Sequence, residues 1–353
     1  MLRSALFAAL LGVSLIATPA LAQEWATAEV CTVDAPYISD AAFAPAELSA
    51  LEAEAADVPN PNGKFWRITS PGDEVSHLWG TYHSSDPAIL ALPEQVTEAI
   101  EASRVVAVEV DFRLESREAY RLSREMVGRF KEASDPFAFT PGDGTIAGLP
   151  LDASLWIRDR ALELGWTEDI DLILSMPGIA EVLLSDPCED FTNGVLPIQD
   201  DYVLLLGRLA GADILSLETH DEFIENLAAD EDTARAVVAT YAAYLKPMTT
   251  NAERAASFAL YQQGRLGILE AWDYAFQREV YGAAGAEYLG LTDAYLLNLR
   301  NNRFVERLER DLGLGGVFIA VGSAHIPGDN GLVALLRDKG YKVDRIPLPG
   351  EVP

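Results

Sequence analysis

Cysteine is nearly absent from this chain: Cys31 and Cys188 are the only two in 353 residues. That excludes a disulfide-dense scaffold and a cysteine-rich metal knuckle. Basic residues are scarce as well. Lys and Arg number 26 against 55 Asp and Glu, a formal charge of −29. A body this acidic repels phosphate backbones and anionic headgroups, so nucleic acid is excluded as a partner. Beyond the first 22 residues no stretch reaches the roughly 18 uncharged apolar residues of a membrane-spanning helix; even 202–217 carries Arg208 and Asp213. Stable membrane insertion is therefore not expected. Several motifs are missing too: H-E-x-x-H, G-x-S-x-G, the Walker A loop and G-x-G-x-x-G. Their absence removes the common zinc peptidase, serine hydrolase and nucleotide-binding readings.

What is present begins with a leader. Met1-Leu2-Arg3 gives a basic start, Ala5 to Ile16 is almost wholly apolar, and Ala20-Leu21-Ala22 forms an A-x-A site before Gln23. These are the three parts of a secretory signal peptide, predicting export with cleavage after Ala22 to a periplasmic or secreted form. In an oxidising compartment two lone cysteines pair, so a Cys31–Cys188 disulfide is expected. Residues 23–63 read as a mostly irregular lead-in with one helix near 46–55, and 64–348 as a single domain.

Within that domain six strands are predicted. Phe65 to Ile68 and Val75 to Tyr82 flank a Pro71-Gly72-Asp73 turn and form a hairpin. Val105 to Val110, Ala212 to Leu217, Val317 to Val321 and Tyr341 to Ile346 follow. Helices are expected at 93–103, 114–133, 152–165, 168–185, 198–210 and 330–339, with only helical patterns between 230 and 312. Thr219-His220-Asp221-Glu222 matches a capping box. Strands and helices thus alternate at both ends around a helical block. The fold class is α/β (α+β): a central mixed sheet built from N- and C-terminal segments, flanked by helices, with a large helical middle.

Two of the four histidines occupy matching contexts. Trp79-Gly80-Thr81-Tyr82-His83 and Val321-Gly322-Ser323-Ala324-His325 each run from an apolar strand into Gly-x-x-His. Ligands of open α/β sheets gather at the carboxyl ends of strands, where both imidazoles fall. A third strand ends in Glu109-Val110-Asp111, whose alternation places Glu109 and Asp111 on one face. Two imidazoles and a carboxylate are a ligand set for a catalytic divalent ion, giving His83, His325 and Glu109 as metal ligands. A second carboxylate, Asp111 or Glu218, is then a candidate general base. The bland alternatives stand beside these. Glu109 and Asp111 also suit ion pairs with arginine, Glu218 suits a helix N-terminus, His220 belongs to the capping box, and His77 is structural.

At these residues the chain resembles the TraB/GumN family, the superfamily of the TIKI metalloproteases, related to erythromycin-esterase-like proteins. The anchors are Trp79-Gly80-Thr81-Tyr82-His83, Leu92-Pro93, Val108-Glu109-Val110-Asp111, Leu217-Glu218-Thr219, Arg300-Asn301 with Phe304, and Val321-Gly322-Ser323-Ala324-His325-Ile326-Pro327-Gly328. The resemblance implies that the family's two histidines are His83 and His325, its glutamate Glu109 and its arginine Arg300. It further implies a metal-dependent, peptidase-like hydrolase acting on a peptide or other small substrate with manganese or cobalt; zinc suits the same ligands. Phe304 departs from the family, where Trp or Met is frequent. Arg300 is expected to stabilise an oxyanion, against an ion pair on a helix that continues with Arg303, Glu306 and Arg307. Two other classes remain open: a non-catalytic periplasmic metal- or haem-binding protein, and an accessory protein of envelope or exopolysaccharide assembly. The sequence does not specify an oligomeric state.

Overall fold

The computed structural model describes residues 45–84, 86–111, 145–146, 148–163, 175–183, 198–246 and 251–353. The predicted leader, the two cysteines of the expected disulfide, Cys31 and Cys188, and the helix predicted at 114–133 lie outside the described residues.

All six predicted strands form, each within two residues of its expected limits: β1 (Phe65–Thr69), β2 (Val75–Thr81), β3 (Val105–Val108), β4 (Asp213–Ser216), β5 (Val317–Gly322) and β6 (Lys342–Arg345). They make one sheet in the order β4-β3-β5-β2-β1-β6. The hairpin is antiparallel, with Thr69 opposite Val75, and β6 lies antiparallel along β1. β2, β5, β3 and β4 run parallel. Every residue of β5 is buried, as a central parallel strand covered on both faces requires. It sits between β2 and β3, so a strand from the end of the chain joins two from its beginning.

The described helices are α1 (Pro45–Glu54), α2 (Pro87–Leu90), α3 (Glu94–Glu101), α4 (Leu151–Glu163), α5 (Met176–Leu183), α6 (Gln199–Ala210), α7 (His220–Ala228), α8 (Glu231–Ala243), α9 (Asn251–Gln262), α10 (Leu266–Tyr281), α11 (Ala283–Asp293), α12 (Arg300–Leu314) and α13 (Leu332–Asp338). The short α2 was not anticipated. Pro93 caps α3 rather than opening its first turn. The Thr219–Glu222 capping box is present at the start of α7.

Alternation along the strands divides the sheet's two faces. Val105, Ala107, Val317, Ile319 and Val321 pack with Phe304, Leu308 and Leu312 of α12 and Leu332 and Leu336 of α13. Val106, Val108, Phe318 and Ala320 pack with Val96 and Ile100 of α3 and Val203 and Leu204 of α6. A separate helical core joins α4, α5, α7 and α8 with Tyr295 and Leu296. Each fully buried Leu, Val or Phe contributes about 1.5–3 kcal/mol, so both faces hold the strand ends firmly.

α11 and α12 are joined by a π-helical segment, Ala294–Leu299, so the helical backbone continues from Ala283 to Leu314. Such turns insert one residue and are frequent at functional sites. Here it leads directly into Arg300.

Candidate functional site

Three adjacent parallel strands end side by side. Thr81 of β2 lies opposite Gly322 of β5, and Val108 of β3 lies opposite Ala320. The next residues along each strand carry the chemistry: His83 follows β2, Glu109 follows β3 and His325 follows β5. The first and last thirds of the chain therefore meet at one edge, with His83 and His325 at the same end of the sheet.

Glycine at the strand ends has a steric cause here. A Cβ on Gly80 would come within 2.6 Å of Ile326 Cδ1 and 3.1 Å of Ser323 Cα. A Cβ on Gly322 would stand 3.1 Å from His83 Nε2 and 3.3 Å from Glu109 Oε1. The missing side chains are the space in which an imidazole and a carboxylate converge.

Each histidine is oriented from behind. His83 Nδ1 lies 2.9 Å from Asp200 Oδ2, and the other oxygen of Asp200 accepts from Thr81 Oγ1 at 2.6 Å. His325 Nδ1 lies 2.6 Å from Asn301 Oδ1. The Asn301 amide nitrogen donates to Asn330 O at 2.8 Å and His325 O at 3.4 Å, which fixes its orientation and leaves Oδ1 as the acceptor. Both imidazoles are thus assigned a proton on Nδ1, and in the neutral ring Nε2 is left to accept. A supported Nδ1–H with Nε2 free is the arrangement of metal-ligating histidine.

Glu109 sits among these groups. Its Oε1 accepts from the Gly322 backbone at 2.7 Å and lies 3.4 Å from His325 Nε2. Its Oε2 accepts from Arg300 Nη2 at 2.8 Å. Burial alone would raise its pKa. His325, Arg300 and His83 outweigh burial and hold its carboxyl well below the usual range. The Asp200 carboxylate, against the opposing effect of burial, pushes His83 up to about 9. Since 48 % of the His83 side chain is exposed, water screens that attraction.

Arg300, 6 % exposed, spans two carboxylates. Its Nε donates to Glu218 Oε2 at 2.7 Å while Nη2 holds Glu109. Glu218 is 2 % exposed and its Oε1 has no hydrogen-bond partner among the described residues; Arg303 Nη1 stands 3.9 Å from it. Asp111 goes elsewhere. Its carboxylate pairs with Arg208 of α6, and its amide donates to Ser216 Oγ at 2.9 Å. The expectation that Asp111 shares the face of Glu109 is corrected, because β3 ends at Val108 and the strand's alternation stops there. His77 stacks on Phe65 at 5.4 Å within β2 and takes no part.

His83, Glu109 and Asp200 each offer a ligand atom, and these lie within 4.8 Å of one another. His325 is outside that set of three and adjoins it through Glu109. Asp200 is the residue that sequence reasoning missed. The only trace of it was a pair of acidic residues at the first turn of a predicted helix.

A second group of carboxylates lies on α10 and α11. Tyr244 donates to Asp273 at 3.0 Å and Tyr274 to Asp293 at 2.9 Å. Burial raises both carboxyls to about 7, and Glu270 adds to the rise.

Compared with protein-family models, residues 64–345 match the TraB/PrgY/gumN family. Neither a curated protein nor a solved structure matches the chain. Among the described residues no helix is long and apolar enough to cross a membrane.

Proposed function

The chain belongs to the TraB/PrgY/gumN family, and on that premise we propose that it is an exported, divalent-metal-dependent hydrolase of peptide-like substrates. One observation carries the reading. His325, with Nδ1 engaged by Asn301, sets Nε2 3.4 Å from Glu109 Oε1, and His83, with Nδ1 beside Asp200, belongs to a group with Glu109 and Asp200 whose ligand atoms lie within 4.8 Å of one another.

These donors are of the kinds that a divalent cation takes, and His83, Glu109 and Asp200 already bring their ligand atoms within 4.8 Å of one another. His325 Nε2 and Glu109 Oε1 are both acceptors at 3.4 Å, and a proton or a cation relieves their repulsion. His83, Glu109 and His325 would hold manganese, cobalt or zinc, with Asp200 as a further oxygen ligand or as the support of His83. A bound ion would supply Lewis acidity and make water more acidic. The chain's own groups do the rest. Asp200 and Asn301 hold the imidazole tautomers. Arg300 keeps Glu109 ionised. Glu218, with one oxygen unpartnered, is the carboxylate left to accept a proton. Asp111, bound to Arg208, is too committed for that role.

One feature favours a non-catalytic metal-binding protein instead. Arg300 already neutralises Glu109 and Glu218, which leaves it engaged before any oxyanion forms.

The experiment is metal analysis of purified protein together with turnover of a peptide library. The expected result is about one equivalent of ion, lost in His83→Ala and His325→Ala, and turnover that chelation abolishes and metal restores. Stoichiometric metal without turnover supports the binding protein. No metal in the wild type ends both readings. Export predicts an intact mass starting at Gln23 and no alkylatable thiol in unreduced protein.

A further inference from the structure

A pocket of about 380 Å³ is lined by Gln199 among others, at the small end of the roughly 300–1,000 Å³ range of small-molecule sites. None of His83, Glu109, Asp200 and His325 lines it. Its deep wall holds Lys64 and Trp79, its apolar side Ile89, Leu348 and Pro349, and its exposed rim the first turn of α3.

One donor of this pocket has no acceptor among the described residues, and two further features beside it favour negative charge. The Trp79 side chain is 1 % exposed, yet its indole Nε1 has no hydrogen-bond partner among the described residues. A buried donor left unmade costs about 1–3 kcal/mol, so it calls for an acceptor. Lys64 Nζ carries three N–H groups. One donates to Gln262 O at 3.0 Å, while Glu351 stands off at 3.9 Å, beyond hydrogen-bond distance. Burial, only partly opposed by Glu351, lowers Lys64 to about 8, which marks an ammonium short of neutralising contacts. The α3 N-terminus has Pro93 at the cap position and no side-chain cap, and its dipole favours negative charge there.

We propose that this pocket binds a small monocarboxylate with a short apolar tail, its carboxylate meeting Trp79 Nε1 and Lys64 and its tail lying on Ile89, Leu348 and Pro349. The charges on the walls select a monoanion. Lys64 supplies one positive charge, and Glu351 beside it and Glu94 on the rim oppose a second negative charge on the ligand. The rings of Trp79 and Tyr261, 5.8 and 4.6 Å from Nζ, hold the ammonium at the centre of the wall. This site is independent of the metal reading.

The test is a titration of the purified protein with hexanoate, hexanamide and inorganic phosphate, read on the Trp79 indole N–H resonance, which Trp79→Phe assigns. Hexanoate should give a saturable shift, and hexanamide and phosphate none. By calorimetry, hexanoate affinity should fall at least about tenfold, ~1.4 kcal/mol, in Lys64→Met and again in Trp79→Phe. Met matches the length of Lys64 without its charge, and Phe keeps an aromatic ring at 79 without the N–H. If Lys64→Met fails to fold, the same loss in Trp79→Phe carries the test. Absence of a shift at millimolar hexanoate, an equal response to hexanamide or phosphate, or binding that survives the substitutions overturns the proposal.

Discussion

His325 Nε2 faces Glu109 Oε1 at 3.4 Å while its other nitrogen is committed to Asn301. An imidazole so held has a single direction in which to offer its lone pair. Asn301 therefore governs what His325 does, although it is itself one shell removed from any ligand. Asn301→Leu is expected to weaken metal binding about 10- to 100-fold while retaining the fold. Competition titration against a chromophoric chelator measures this, and unchanged affinity would refute the role given to Asn301.

Arg300 is the sole positive charge hydrogen-bonded to both Glu109 and Glu218 among the described contacts. Removing it leaves Glu218, buried, and Glu109, largely so, without their hydrogen-bonded cation. Arg300→Met should lower stability by about 3–5 kcal/mol in denaturant unfolding. Adding Glu218→Gln to that variant should recover part of the loss, since it removes one of the stranded charges. A loss below about 1 kcal/mol would mean that the pairs are solvated surface contacts.

Gly322→Ala introduces a methyl carbon 3.1 Å from His83 Nε2 and 3.3 Å from Glu109 Oε1. The strand accepts alanine, so the expected stability change is small. Metal affinity and turnover should fall together, because the imidazole and carboxylate must separate to admit the methyl group. A variant with wild-type metal affinity would show that the two groups do not close on the same point.

Asp111→Asn separates the structural carboxylate from the others. Breaking its pair with Arg208 should destabilise the protein by about 1–3 kcal/mol and leave metal affinity unchanged. Loss of metal in this variant, with the fold intact by circular dichroism, would return Asp111 to the site.

Asp273 and Asp293 set a pH dependence. Both titrate at about 7 in the folded chain against an ordinary 3.8, with burial as the main cause. Their contribution is fully present below the unfolded value and is lost as pH rises through 7, because only the unfolded chain ionises them freely. The melting temperature should therefore fall between pH 5 and pH 8 by several degrees. The Asp273→Asn/Asp293→Asn double variant should show a flatter profile over the same window. An identical slope in wild type and variant would exclude these carboxyls as its source.

The sheet was legible because its strands are short apolar, β-branched runs bounded by Gly, Pro and Asp, a local signal. The two Gly-x-x-His segments were legible for the same reason, since each is a strand plus three residues. What local pattern could not reveal was depth and partnership. Asp200 meets His83 across 117 positions of sequence, and nothing about an acidic first turn says which imidazole it will face. Asp111 was misplaced because alternation was carried past the last hydrogen-bonded residue of β3. Arg300 was found through resemblance, but its simultaneous grip on Glu109 and Glu218 depends on the packing of α12 across the sheet.

The π turn at Ala294–Leu299 works as a phase shifter in a rod that serves two cores. Before it, Tyr288 packs toward the helical core, as do Tyr295 and Leu296 within it; after it, Phe304, Leu308 and Leu312 face the sheet. One residue turns an α-helix by about 100°. Deleting a single residue here restores uninterrupted α-helical winding, and then only one of the two stripes can keep its partner. The length of this segment is therefore fixed more tightly than its composition, and a one-residue deletion within it would displace Arg300 without changing any residue that touches Glu109.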